Sequence, residues 1–67
     1  MKLIMIAPRV DRHYDVIHAR LPASQVVERV DGPFPTVAEA KAAVEAEFGV
    51  LAWQDRDGVL VAEISSP

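Results

Sequence analysis

A chain of 67 residues with 51% apolar content, no cysteine and a net charge of −3 is one small domain that folds without disulfide staples. A chain this short hides only about 60% of the surface its unfolded form exposes, so it is a natural candidate for association with itself or with a partner. The charge is divided: residues 1–30 carry five basic groups against three acidic ones, and residues 31–67 carry two against seven. That imbalance is too weak for a nucleic-acid magnet or for a mimic of DNA built from massed carboxylates.

Lys2 to Ala7 is a short apolar run without alternation. Leu3 and Met5 point one way and Ile4 and Ile6 the other, which predicts a strand that is central or covered on both faces. Pro8, Arg9, Asp11 and Arg12 end the run too soon for an export signal, no stretch approaches membrane-spanning length, and the reading expects a complete cytoplasmic protein. Pro8 to His13 is a charged turn. Tyr14 to Leu21 reads as a second strand, with Ile17, Ala19 and Leu21 on one face. Pro22 ends it, Ala23 and Ser24 turn, and Gln25 to Val30 returns. Val26, Glu28 and Val30 share one face of that strand and Val27 takes the other.

Asp31-Gly32-Pro33 reads as a turn, with Phe34 packing under the start of a helix. The stretch Asp31 to Gly49 carries the one long helix signal. Thr36 and Glu39 form a capping box, in which the Thr hydroxyl accepts from the Glu39 N–H and the carboxylate can reach back. Pro35 precedes the cap, and Gly49 falls where a C-terminal cap is expected. Val37, Ala40, Val44 and Phe48 make the apolar stripe; Glu39, Ala42 and Ala46 lie opposite, flanked by Lys41, Glu45 and Glu47. Val50 to Gln54 and Val59 to Ile64 flank Asp55-Arg56-Asp57-Gly58 as a hairpin. The fold class is α+β: a small antiparallel sheet in the order β-β-β-α-β-β with one helix packed across one face, residues 1–67 forming a single domain.

One helix covers one face of a sheet, and several strands are apolar on both. The reading therefore expects a second apolar surface from Tyr14, Val16, Ile4, Ile6, Val59 and Val61, and places a partner-binding site on Tyr14, Val16, His18, Arg20, Val59 and Val61. Arg9, Arg12, Arg20 and Arg29, with Tyr14 as a stacking residue, are the alternative nucleic-acid surface, short of the dense basic stripe that phosphate binding requires. Trp53 is expected in the core beside Leu51, with an interface role as the sharper alternative.

Catalysis and cofactors are not expected. Asp11, His13 and Asp15 alternate like ligands on a strand, but a metal site needs three or four converging groups and an orienting outer shell. Asp55-Arg56-Asp57-Gly58 matches the opening of a calcium loop, yet the twelfth position, where a bidentate glutamate is required, is Ser66. Ser24, Ser65 and Ser66 have no nucleophile elbow, and three glycines make no phosphate loop.

The segment from Tyr14 to Val50 resembles the N-terminal domain of HicB-type antitoxins. Asp31-Gly32, Thr36, Glu39 and Ala40 fit that family's turn and Thr-x-x-Glu-Ala helix start, and the resemblance implies a hairpin, helix and following strand in a dsRNA-binding-like fold. Phe34-Pro35-Thr36-Val37-Ala38-Glu39-Ala40 also resembles the helix start of the arm-type DNA-binding domain of tyrosine integrases, which implies a three-stranded sheet before the helix. Phe-Pro-Thr ahead of an Ala-rich helix and Leu-Ala-Trp after it is similar to small uncharacterised proteins of actinobacteria and their phages. The function expected is a non-enzymatic protein-binding module, in concrete form a phage or mobile-element inhibitor that occludes a larger host protein. The alternatives are a DNA-binding accessory protein and a homo-oligomeric, antitoxin-like protein.

Overall fold

The computed structural model describes residues 2–20 and 26–64. Five strands and one helix follow in the order β1 (Lys2–Pro8), β2 (Tyr14–Arg20), β3 (Val26–Phe34), α1 (Val37–Phe48), β4 (Gln54–Arg56) and β5 (Val59–Ile64). They form one antiparallel sheet ordered β3-β2-β1-β5-β4 with the helix across one face. The strand without alternation, β1, is the central one. It pairs with β2 through Ile4↔His18 and Ile6↔Val16, and with β5 through Ile4↔Ala62 and Ile6↔Leu60.

These pairs set the core. Ile4, Ile6 and Val16 are fully buried against Ala40 and Val44 of α1, with Tyr14, Phe34, Phe48, Leu51, Trp53, Leu60 and Ile64 packed around them. The helix begins as its capping box requires: Thr36 is extended (φ −138°), and its hydroxyl accepts from the Glu39 N–H at 3.1 Å. It ends at Gly49, whose φ of +83° favours glycine and whose N–H donates to the Glu45 carbonyl at 2.9 Å. The β4–β5 hairpin closes on Asp57 and Gly58, both at positive φ (55° and 87°), between the paired Arg56 and Val59. That is the geometry of a two-residue loop matched to the strand twist.

Three expectations are corrected. The expected Asp31–Pro33 turn is strand: β3 continues through Asp31, Gly32 and Pro33 to Phe34, which pairs with Tyr14. Its register slips between His18 and Ala19, so that Arg29 faces His18 and Val27 faces Ala19, leaving Glu28 as an inserted residue. The insertion reverses parity, and Val27 and Val30 share a face instead of lying on opposite ones. The strand expected over Val50–Gln54 starts only at Gln54. The Glu45 carboxylate accepts from the Leu51 N–H at 3.3 Å and the Trp53 Nε1–H at 3.2 Å, which fastens this segment to the helix rather than to the sheet. The expected Pro22–Ser24 turn, Gln25 and the tail after Ile64 lie outside the described residues.

Candidate functional site

The sheet has two faces of different chemistry. Beneath the helix, His18 is 5% exposed, and its ring centroid lies 6.1 Å from that of Phe48. His18 Nε2 is 3.0 Å from Asp31 Oδ2 and 3.3 Å from Arg29 Nη2. Protonated on Nε2 the imidazole donates to Asp31; unprotonated there it accepts from Arg29. Arg29 donates from Nε to Asp31 Oδ2 at 2.9 Å and from Nη2 to Glu47 Oε1 at 2.6 Å. The hydrogen bond from Arg29 holds the Glu47 carboxyl below its usual range, and Glu47 and Asp31 raise Arg29 further.

The bulge explains how neighbouring residues of β3 serve one face, with Arg29 turned to the helix and Glu28 paired with Arg20 at 2.7 Å and Lys2 at 3.8 Å. Between this network and the helix is a gap of about 20 Å³, enough for one water and for no organic ligand.

Among the described residues, the other face carries no helix. Its middle row crosses the sheet as Val30, Ile17, Met5, Val61 and Gln54, paired in that order from β3 to β4. Val27, Ala19, Leu3 and Glu63 form the row on one side, and Asp15 and Ala7 with Val59 and Arg56 form the row on the other. Val27 and Val30 are 53% and 56% exposed, and Ile17, Met5, Leu3 and Val61 are half-buried. Over β1, β5 and β4 the face opens into a groove of about 530 Å³, lined by Leu3, Met5, Val61, Gln54, Arg56 and Glu63 together with Ala52.

This placement divides the expected partner-binding set. Val16 and His18 are buried under the helix, Tyr14 packs against the same core, and Arg20 is tied to Glu28. Ile4 and Ile6, expected on the second apolar surface, are the centre of the core. Only Val59 and Val61 lie on the open face. The alternation within β1, β2 and β5 is as expected, but the helix covers the other side of β1 and β2. Leu3, Met5, Ile17, Ala19, Val27 and Val30 are the residues sequence reasoning missed. A signal for two of them was present: Asp15 shares parity with Ile17 and Ala19, as Glu63 does with Val59 and Val61, and a carboxylate marks the uncovered side. No such signal existed for Val27 and Val30, because the inserted Glu28 hides their common direction.

The four arginines of the alternative surface do not make one stripe. Arg9 pairs with Asp11 at 3.2 Å and Asp15 at 3.1 Å, Arg20 with Glu28, and Arg29 with Asp31 and Glu47. Arg12 sits at positive φ (67°) in the Arg9–His13 turn. In that turn Asp11 and Asp15 both address Arg9, and His13 Nδ1 lies against the Asp11 carbonyl at 3.0 Å. No group of three or more potential metal ligands converges among the described residues. No helix there is long and apolar enough to cross a membrane.

Comparison with known proteins adds no relative: no protein-family model matches the chain, and neither the curated proteins nor the solved structures give a match.

Proposed function

We propose that this chain is a non-catalytic protein-binding module of the cytoplasm that docks through its open sheet face. The observation that carries this reading is the uncovered row Val30, Ile17, Met5 and Val61, four apolar residues in register across four strands. Removing such a row from water contributes roughly 25 cal/mol for each Å² covered, and exposed patches of this kind on small proteins are commonly functional. Its mode of action is occlusion: a rigid sheet laid over a partner's surface closes that surface to others. A phage-borne or mobile-element inhibitor is one protein that works so, and the small size of the chain agrees with it. The nucleic-acid reading is weaker, because three of its four arginines already hold carboxylates.

Immobilised wild-type chain, an Ile17→Glu variant on the open face and an Ala42→Glu variant on the exposed side of the helix, run against the same lysate, test this. The expected result is a bound protein retained by wild type and Ala42→Glu and lost with Ile17→Glu. Retention by Ile17→Glu with loss in Ala42→Glu overturns the assignment.

A further inference from the structure

The open face is self-complementary, and we propose that its occupant is a second copy of this chain, packed sheet to sheet about a two-fold axis along β1. The inference rests on the open face being the docking surface, and it names a second copy as the partner in place of a larger protein, which the same face cannot hold at the same time. Shape is the first support. Val27 and Val30 stand exposed on the β3 side, and the groove of about 530 Å³ opens on the opposite, β4 side. An axis along β1 exchanges β3 with β4 and β2 with β5, so each copy's valine ridge enters the other's groove. That reciprocity is what a two-fold interface demands. An axis across the strands would set ridge upon ridge.

Polarity agrees. The middle row is apolar from Val30 to Val61, and Asp15, Arg56 and Glu63 stand in the rows beside it, an apolar centre with a polar rim. Among the described residues Arg56 donates only to Gln54, at 3.2 Å, and neither Arg56 nor Glu63 has an ion-pair partner.

Area and edges decide how the copies meet. Four strands of some 20 Å or more and the three-residue β4 of about 10 Å, spaced about 4.8 Å apart, give a face of about 400 Å² before side-chain relief is counted. Two such faces approach the roughly 1,000 Å² at which specific interfaces begin. Pairing at the sheet edges is disfavoured instead: β3 carries two register shifts and Pro33, and β4 has three residues. Two sheets with their helices outside therefore form a four-layer dimer.

The chain has no cysteine, so introduced cysteines report the geometry directly. The reagent is a bismaleimide spanning about the 10 Å that separates packed sheets. Met5→Cys, near the axis, is expected to cross-link as a dimer, and so is the double variant Val30→Cys/Gln54→Cys. Val30→Cys alone is expected to stay single, because its two copies lie about four strand spacings, roughly 19 Å, apart. The wild-type unfolding midpoint is expected to rise with protein concentration. Should Met5→Cys fail to fold by circular dichroism, the double variant and the wild-type midpoint decide. Cross-linking of Val30→Cys alone, or a concentration-independent midpoint with no cross-linking, overturns the proposal. If that second result comes with Ile17→Glu-sensitive capture of a different protein, the second copy falls and the docking face stands; if capture is also insensitive, both fall.

Discussion

Arg29 reaches from the bulge of β3 to the helix, where its Nη2 donates to Glu47 Oε1 across 2.6 Å while its Nε holds Asp31 at 2.9 Å. One side chain thus joins an edge strand, the buried His18 and the last turn of α1. Because the Arg29 hydrogen bond lowers the Glu47 carboxyl in the folded chain, the pair stabilises the fold above the carboxyl's unfolded value. That contribution is lost as pH falls through the folded value. Urea unfolding at neutral and acid pH should show wild type more stable than Glu47→Gln at neutral pH, with the difference vanishing in acid. A difference that is the same at both would refute the linkage.

The helix start is open to a simple test. Thr36→Ala removes the acceptor of the Glu39 N–H and should cost about 1 kcal/mol in urea unfolding, whereas Thr36→Ser should stay within a few tenths of wild type.

The two faces of β1 should answer differently to truncation. Ile4 is fully buried, and Ile4→Ala should cost roughly 2–5 kcal/mol. A chain this size has a total stability of roughly 3–10 kcal/mol, so the variant should lose about half of it or more. Val30→Ala, on the open face, should change the stability of the single chain by only about 0.5 kcal/mol. Circular dichroism melts of dilute samples separate the two.

Trp53, the one tryptophan, reports on the segment that links helix and hairpin. Its Nε1–H and the Leu51 N–H both donate to the Glu45 carboxylate. Glu45→Ala should release residues 50–53, shift the Trp53 emission to the red and increase its quenching by iodide. Unchanged emission would mean that packing against the core, not Glu45, holds the indole.

Much of this fold is legible in the residues. Thr36, Glu39 and Gly49 bound the helix because capping is local chemistry, and Asp57-Gly58 sets the hairpin because positive φ is a residue property. The unalternating Lys2–Ala7 run marks the central strand because Ile4 and Ile6 fill the core beneath the helix while Leu3 and Met5 lie half-buried between the neighbouring strands on the open face. What was not legible depends on distant partners. The Asp31-Gly32-Pro33 stretch has turn chemistry, but pairing of Asp31 with Val16 and Phe34 with Tyr14 keeps it in the sheet. Glu45 draws residues 50–53 out of a strand through hydrogen bonds that no local pattern announces. The candidate site suffered most, since alternation separates two faces without saying which one the helix covers, and the Glu28 bulge conceals that Val27 and Val30 belong together.

Val16 and Ile17 are neighbours on β2 with opposite fates, the first buried under the helix and the second on the open row. The most direct measurement is solution mass by light scattering over a dilution series, for wild type beside Ile17→Glu, with circular dichroism confirming that both are folded. The account predicts a wild-type mass rising from 7.3 kDa toward twice that value with concentration. It predicts that Ile17→Glu stays at the single-chain mass throughout. A folded Ile17→Glu that associates like wild type, or a wild type that remains a single chain at every concentration, would contradict it.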